Sequence, residues 1–224
     1  APLQAAHRDA ILLDERLFAR VKAVWDARAT LALEPDQARL LELTYKRFVR
    51  GGALLGPEPK QRMRAINEEL SKLSVAFGDA MLAETNGYKL VIERREDLAG
   101  LSERMVKAGA EAAAKAGMAG KWVYTLHGPS LWPFLEQSAN RELRRQIFTA
   151  YTTKGARGDG NDTGRILART AALRAERARL LGYATHADFV LEENMAKDQA
   201  GVYGLLNRLW VPAKNVAARE AEAM

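Results

Sequence analysis

The residues that come nearest to a metal-binding pattern lie in one loop, residues 159–164. Asp159 and Asn161 occupy the first and third positions of a helix–loop–helix calcium loop, which binds Ca²⁺ through carboxylate and amide oxygens. The fifth position is Thr163, and the twelfth is Thr170, where the pattern requires a Glu that supplies two oxygens. The segment therefore predicts turns and a helix cap, and no calcium site.

Two shorter patterns overlap this loop. Arg157, Gly158 and Asp159 form a tripeptide that some adhesion proteins display, but a solvated turn is the simpler interpretation. Gly155, Gly158 and Gly160 resemble a phosphate-binding loop, yet the Gly-Lys-Ser/Thr that contacts phosphate and magnesium does not follow them. We therefore expect these glycines to provide flexibility.

The three histidines do not form a ligand set. His7, His127 and His186 lie far apart, and none has a second His or Glu at metal-ligand spacing on its own predicted helix. Asp188 and Glu192 lie near His186, which leaves a site with distant residues as an alternative, but a capping role explains Asp188 more simply. No Gly-x-Ser-x-Gly elbow is present, and the absence of cysteine excludes thiolate chemistry. We assign no catalytic and no metal-binding residue, and substrate-binding residues stay unassigned.

Composition and charge distribution limit the classes of partner that this protein is expected to bind. The net charge of +6 would attract nucleic acid or other anions if it lay on one face. Basic residues instead alternate with acidic ones around Glu142 and Glu176, which predicts solvated helix faces with local ion pairs. No nucleic-acid module accompanies the charge, and no apolar run approaches the length of a membrane span. We therefore predict neither a nucleic-acid partner nor a membrane partner.

Apolar residues recur at three- and four-residue spacing in nearly every long segment, which predicts a mostly helical chain. The clearest stripe runs over residues 60–84 and consists of Met63, Ile66, Leu70, Leu73, Phe77 and Met81. We expect Leu70, Leu73 and Phe77 to be buried. Two earlier helices, one after the cap Asp14 and one after Pro35, bring the number predicted before residue 87 to three.

The other secondary-structure elements are predicted from residues that break or cap helices and strands. Residues 88–93 and 122–126 are rich in β-branched and aromatic side chains and predict a small antiparallel ribbon. Ser102 and Asn140 are predicted to begin helices, and Gly182 is predicted to end one in a left-handed conformation. The predicted capping box pairs Thr185 with Asp188.

Large apolar side chains complete the sequence pattern. Most of the following are expected to pack in the core: Trp25, Phe77, Met81, Trp132, Phe134, Phe148 and Trp210. The last predicted helix begins near Asp198 and continues an apolar stripe through Leu205, Leu206 and Leu209 without a Gly or Pro stop signal. We expect this stripe to form an apolar surface that further protein covers.

Three stretches carry a family resemblance: residues 48–77, 121–145 and 140–206. The strongest combination joins Arg-Glu-Leu-Arg at 141–144, Asn-Asp at 161–162, Leu-Leu-Gly-Tyr at 180–183 and Met-Ala-Lys at 195–197. The chain resembles the thimet oligopeptidase (M3) family of zinc metallopeptidases nearly end to end, and in particular the bacterial peptidyl-dipeptidases.

The resemblance implies an all-α, neurolysin-like fold with at most a minor β-ribbon, split by a channel that admits short peptides. Those enzymes bind zinc through His-Glu-x-x-His on one helix and a later Glu, and this chain lacks that motif. We therefore expect residues 1–224 to be a non-catalytic helical portion of such an enzyme, truncated at both ends and without a clear internal boundary. The portion is expected to form part of the scaffold and channel wall.

Several functional expectations follow from the resemblance. The intact protein is expected to bind zinc and release C-terminal dipeptides, whereas this chain alone binds no zinc and is inactive. Its partners are short peptide substrates and the missing catalytic half. An oligopeptidase A-like endopeptidase of the same family is one alternative, and a free-standing, non-catalytic helical interaction module is another. A cytoplasmic location is expected, with the periplasm left open because cysteine usage does not separate the two.

Overall fold

The computed structural model describes residues 1–223, which form ten α-helices, one short 3₁₀ helix and a two-stranded sheet. The α-helices are α1 Pro2–Leu12, α2 Glu15–Ala27, α3 Pro35–Arg50, α4 Pro57–Gly87, α5 Glu103–Lys115, α6 Gly128–Gln137, α7 Arg141–Thr152, α8 Gly164–Leu180, α9 His186–Leu191 and α10 Gln199–Ala223. The 3₁₀ helix is Arg95–Leu98. The predicted all-α class is confirmed.

The described residues divide into two compact units. The first comprises Ala1–Lys72 together with the residues from Arg169 onwards, and the second is the continuous segment Leu73–Ala168. Both boundaries fall within helices, one in α4 and one in α8. None of the helices within residues 1–223 combines the length and apolarity that a membrane span requires.

In the first unit, α2 and α3 pack through aromatic rings. Phe18 and Phe48 are buried with ring centroids 6.0 Å apart, and Tyr45 stacks on Trp25 at 4.5 Å with the planes 3° from parallel. The predicted cap of α2 is confirmed, because the Leu17 backbone N–H donates to Asp14 Oδ1 at 2.7 Å. Stacked rings contribute stability beyond the apolar area that they bury.

The second unit contains the predicted ribbon. Strands β1 (Leu90–Ile92) and β2 (Trp122–Tyr124) are antiparallel, and Leu90 lies opposite Tyr124. The Tyr124 ring is fully buried and its hydroxyl donates to the Met105 carbonyl at 3.2 Å. Burial raises the pKa of Tyr124 to about 12, because the phenolate would lose its hydration.

Four helices precede residue 88, so the prediction of three before residue 87 is wrong. The additional helix is α1, which begins with Pro2 at its first position and has no side-chain cap. Its buried positions are Ala5, Asp9 and Leu12, a small residue and a carboxylate among them, so no apolar stripe marks it in the sequence.

Helix α6 was not among the predicted helices. Pro133 lies inside the helix, where its ring removes a backbone donor. Leu131 and Phe134 are completely buried, and the Phe134 ring centroid lies 4.6 Å from that of Tyr124. Packing of these two side chains into the core therefore outweighs the local cost of the proline.

The prediction that Leu70, Leu73 and Phe77 are buried is wrong, since all three are only partly buried. Burial in the stripe of α4 is concentrated near its beginning, where Met63 and Ile66 are at most 1% exposed. A helix of 31 residues extends about 46 Å, longer than one small packed unit, so periodicity alone overestimates how much of it is covered.

The expectation that most of the large aromatic and Met side chains form a core is also wrong. Phe134 is buried, but Trp132, Phe148 and Trp210 are 48%, 51% and 66% exposed. Trp25 is only partly buried. An aromatic residue type therefore does not predict burial in this chain, because large rings also lie on surfaces that remain partly exposed to solvent.

Candidate functional site

The loop that resembled a calcium site is a set of turns, as predicted. Asp159 Oδ1 accepts from the Asn161 backbone N–H, and Asp162 accepts from Gly158 and Gly164, each at 2.9 Å. Hydrogen bonds from those two backbone N–H groups lower the pKa of Asp162. The carboxylate oxygens therefore cap the loop and the start of α8.

Arg157 and Gly155 have structural roles that the sequence did not indicate: one forms an ion pair, and the other is required by the backbone conformation. Arg157 Nη1 lies 3.1 Å from Oε2 of Glu84, whose side chain is 3% exposed, and Nη2 donates to the Ala150 carbonyl at 2.7 Å. Residues 157–159 are exposed and lie in bends, as the solvated-turn interpretation predicts, and Arg157 in addition makes contacts with α4 and α7. Gly155 has a φ of +68°, and a Cβ there would lie 2.8 Å from Thr163 Oγ1. Conformation and close packing, rather than flexibility, require this glycine.

The histidines take separate positions. The ring nitrogens of His127 lie 3.1 Å from Thr125 Oγ1 and 3.2 Å from Asn86 Oδ1. His186 Nδ1 is buried without a hydrogen-bond partner, and burial lowers its pKa, with Arg177 acting in the same direction. Within residues 1–223, no group of three or more His, Asp and Glu side chains is placed to hold a metal. These residues therefore do not fit a catalytic zinc, which needs about three convergent protein ligands.

A cavity of about 570 Å³ lies in the first unit. Helices α1, α3, α4, α8 and α9 contribute residues to its wall. Its charged residues are Arg8, Asp9, Arg47, Arg50, Arg177 and Glu193. Four guanidinium groups therefore face one cavity with two carboxylates. No pattern in the sequence links these positions, because they come from distant helices.

A polar chain extends from the buried carboxylate of Asp9. Asn67 Nδ2 donates to Asp9 Oδ1 at 2.9 Å, and Arg177 Nη1 donates to Asn67 Oδ1 at 3.3 Å. Arg177 Nε is buried without a hydrogen-bond partner. Desolvation lowers the pKa of Arg177, and the nearby charges of Arg8 and Arg174 lower it further, with Asp9 opposing them.

Arg50 joins α3 to α9 and to the residues on either side of α9. Its Nη2 donates to the Phe189 carbonyl at 2.7 Å, its Nε lies 3.2 Å from Glu193 Oε1, and its Nη1 contacts Tyr183 and Glu192. The guanidinium carbon also lies 4.3 Å from the centre of the Phe189 ring. These contacts make Arg50 a structural residue of the cavity wall. The turn before α9 has the predicted left-handed Gly182, at a φ of +85°.

Ion pairs near the other arginines only partly follow the sequence pattern. The local pair of Arg145 with Glu142 is confirmed at 2.7 Å. Glu176, in contrast, accepts two hydrogen bonds from Arg62 of α4 at 2.6 and 2.7 Å. The prediction of a local pair at Glu176 is therefore wrong, because a helix that is distant in the sequence supplies the guanidinium.

Helix α10 carries several exposed apolar side chains. None of its described residues is buried, and the predicted stripe of Leu205, Leu206 and Leu209 is 51%, 51% and 55% exposed. Trp210 and Val211 extend it at 66% and 61%. Adjacent exposed apolar side chains of this size are typical of surfaces that other protein covers.

Sequence comparison identifies the known proteins that this chain resembles. Residues 134–224 match the model of peptidase family M3. The chain is 33% identical over 210 residues to a dipeptidyl carboxypeptidase of Escherichia coli, an alignment that covers 94% of this chain and 31% of that protein. It is 30% identical over 192 residues to oligopeptidase A of Haemophilus influenzae, covering 84% of this chain and 28% of that protein.

The class that these matches define is the M3 peptidases. The chain belongs to peptidase family M3. It is also 33% identical over 220 residues to a dipeptidyl carboxypeptidase of Salmonella typhimurium, covering 98% of this chain. The chain spans about a third of the length of these curated relatives, 31% and 32% for the two carboxypeptidases.

Proposed function

We propose that this chain is a non-catalytic helical portion of a peptide-hydrolysing M3 enzyme and forms part of its scaffold and channel wall. The alignment with dipeptidyl carboxypeptidases over nearly the whole chain, but only 31% or 32% of their length, carries this proposal. We infer that zinc binds to residues beyond this chain, where it would activate the attacking water. On this proposal the chain alone hydrolyses no peptide.

The apolar surface of α10 supports an interface with the remainder of such an enzyme. Exposed leucines and Trp210 favour association with a partner that offers an apolar surface of its own. We propose that this partner is the zinc-bearing portion of the same protein.

The reaction type that the carboxypeptidase relatives support is release of C-terminal dipeptides. Oligopeptidase A, 30% identical over 192 residues in Haemophilus influenzae, supports endopeptidase action as the second candidate. A peptide with a free carboxyl end distinguishes the two when its C-terminal amide serves as the control. A peptidyl-dipeptidase that recognises the free carboxylate cleaves only the acid, whereas an endopeptidase cleaves both.

The test is to mix the chain with the separately expressed zinc-bearing portion and to follow peptide cleavage by mass spectrometry. We expect a stable complex and chelator-sensitive cleavage, with neither half active alone. Replacement of Leu205 and Leu209 by Asp should weaken the complex, while Leu3→Asp, an 87% exposed position on α1, serves as a matched control. Two soluble halves that never associate, or cleavage by this chain alone, would contradict the proposal.

A further inference from the structure

We propose that the cavity among α1, α3, α4, α8 and α9 binds a small organic anion, a carboxylate with an apolar body. Arg47 and Arg177 are the residues that hold its carboxylate group. This site is separate from the peptide hydrolysis proposed above and concerns only residues of this chain.

The charge balance of the cavity favours an anion. Glu193 pairs with Arg50, whose other contacts are with Tyr183, Glu192 and the Phe189 carbonyl. Arg8, Arg47 and Arg177 then face the single carboxylate of Asp9. The charge of Arg177 is partly removed from water, which is unfavourable, and a bound anion relieves that cost.

Unused donors on the cavity wall support the same conclusion. In the described part of the chain, the Arg177 side chain donates one hydrogen bond, from Nη1 to Asn67 Oδ1, and its Nη2 donates none. Within residues 1–223, the side chains of Arg8 and Arg47 form no ion pair, and both are exposed at the cavity mouth. A guanidinium group presents two parallel N–H donors that match the two oxygens of a carboxylate.

The apolar residues of the cavity wall favour an organic anion with an apolar part over an inorganic ion. Leu12, Leu43, Met63, Leu181 and Phe189 line the same cavity. Its volume of about 570 Å³ lies within the usual range of small-molecule sites, which combine apolar walls with a few polar groups that orient the ligand. An inorganic ion would satisfy the arginines and leave the apolar wall in contact with water.

N-acetyl-phenylalanine and its C-terminal amide are the probes, titrated into the chain in low-chloride buffer by calorimetry. We expect the acid to bind at least about tenfold more tightly than the amide, because charge-assisted hydrogen bonds to a guanidinium are lost in the amide. Inorganic phosphate should bind more weakly than the acid. Equal affinity for acid and amide, no binding of the acid, or phosphate binding as tightly as the acid would overturn the proposal.

Substitutions of single arginines test which residues bind the anion. Arg47→Gln should lower the affinity for the acid by about tenfold, and its exposed position leaves folding intact. Arg39→Gln is the matched control, because Arg39 lies on the same helix but pairs with Glu42 at 2.6 Å and does not line the cavity. Arg177→Gln should lower the affinity further, with circular dichroism to verify folding. Equal effects of Arg39→Gln and Arg47→Gln would refute the assignment.

Discussion

Asn67 Nδ2 donates a hydrogen bond of 2.9 Å to Oδ1 of Asp9, a carboxylate that is only 5% exposed. The contact joins α4 to α1 at the wall of the cavity in the first unit. The Asn67 hydrogen bond lowers the pKa of Asp9, but desolvation by burial is the larger effect and raises it overall.

The raised pKa of Asp9 predicts how stability varies with pH. A group whose pKa is higher in the folded state contributes stability below its unfolded pKa, and that contribution is lost as pH rises through the folded pKa. We expect Asp9→Asn, which keeps the acceptor but does not titrate, to gain stability relative to the parent as pH rises from below the ordinary pKa of Asp, about 3.9, towards neutrality. Urea unfolding of both proteins across this range measures the difference. A difference that is independent of pH would contradict the prediction.

Gly109→Ala should destabilise the second unit. A Cβ at Gly109 would lie 2.8 Å from the Tyr124 hydroxyl oxygen and 2.9 Å from Cζ, and Tyr124 is too tightly packed to move away. We expect a loss of about 1–3 kcal/mol in thermal or urea unfolding. The matched control is Gly78→Ala, which meets nothing within 4 Å in α4 and should stabilise by about 0.5–1 kcal/mol. Equal effects at the two positions would show that crowding at Tyr124 is not decisive.

Leu131 and Leu73 should differ sharply in their response to truncation. Leu131 is completely buried, so Leu131→Ala should cost about 2–5 kcal/mol from lost burial and the cavity left behind. Leu73 is only partly buried, so Leu73→Ala should cost less. Urea denaturation of the two variants tests this ranking. A larger loss at Leu73 would mean that more of α4 is covered in solution.

The pair of Arg157 with Glu84 should be sensitive to loss of one member. Glu84 is 5% exposed, so Arg157→Gln leaves a buried carboxylate without its counter-charge and should cost on the order of 3 kcal/mol. The double variant Arg157→Gln with Glu84→Gln should recover part of that loss, because no unpaired charge remains. Thermal unfolding of the single and double variants measures the coupling. Strictly additive losses would argue against a direct interaction.

Local signals in the sequence predicted much of the fold and little of the cavity. Asp14, Asn140 and the box formed by Thr185 and Asp188 cap helices as predicted, because a cap depends only on residues within one turn. The burial of Leu73 and the partner of Glu176 were predicted incorrectly, because both depend on which distant helix lies alongside. The arginine cavity escaped prediction for the same reason: Arg8, Arg47 and Arg177 share no spacing that a single helix would produce.

The division of the chain into a continuous and a discontinuous unit has a consequence for its synthesis. The ribosome delivers all of Leu73–Ala168 before Arg169, the residue at which the first unit resumes. Domains generally fold as units while the chain emerges, so the second unit can complete its core before the first unit is whole. At that stage Ala1–Lys72 still lacks α9 and most of α8, which contain the groups that contact Arg50 and Asn67. The amino-terminal helices are therefore made first, but they gain their contacts with α8 and α9 only after the whole of the second unit has been made.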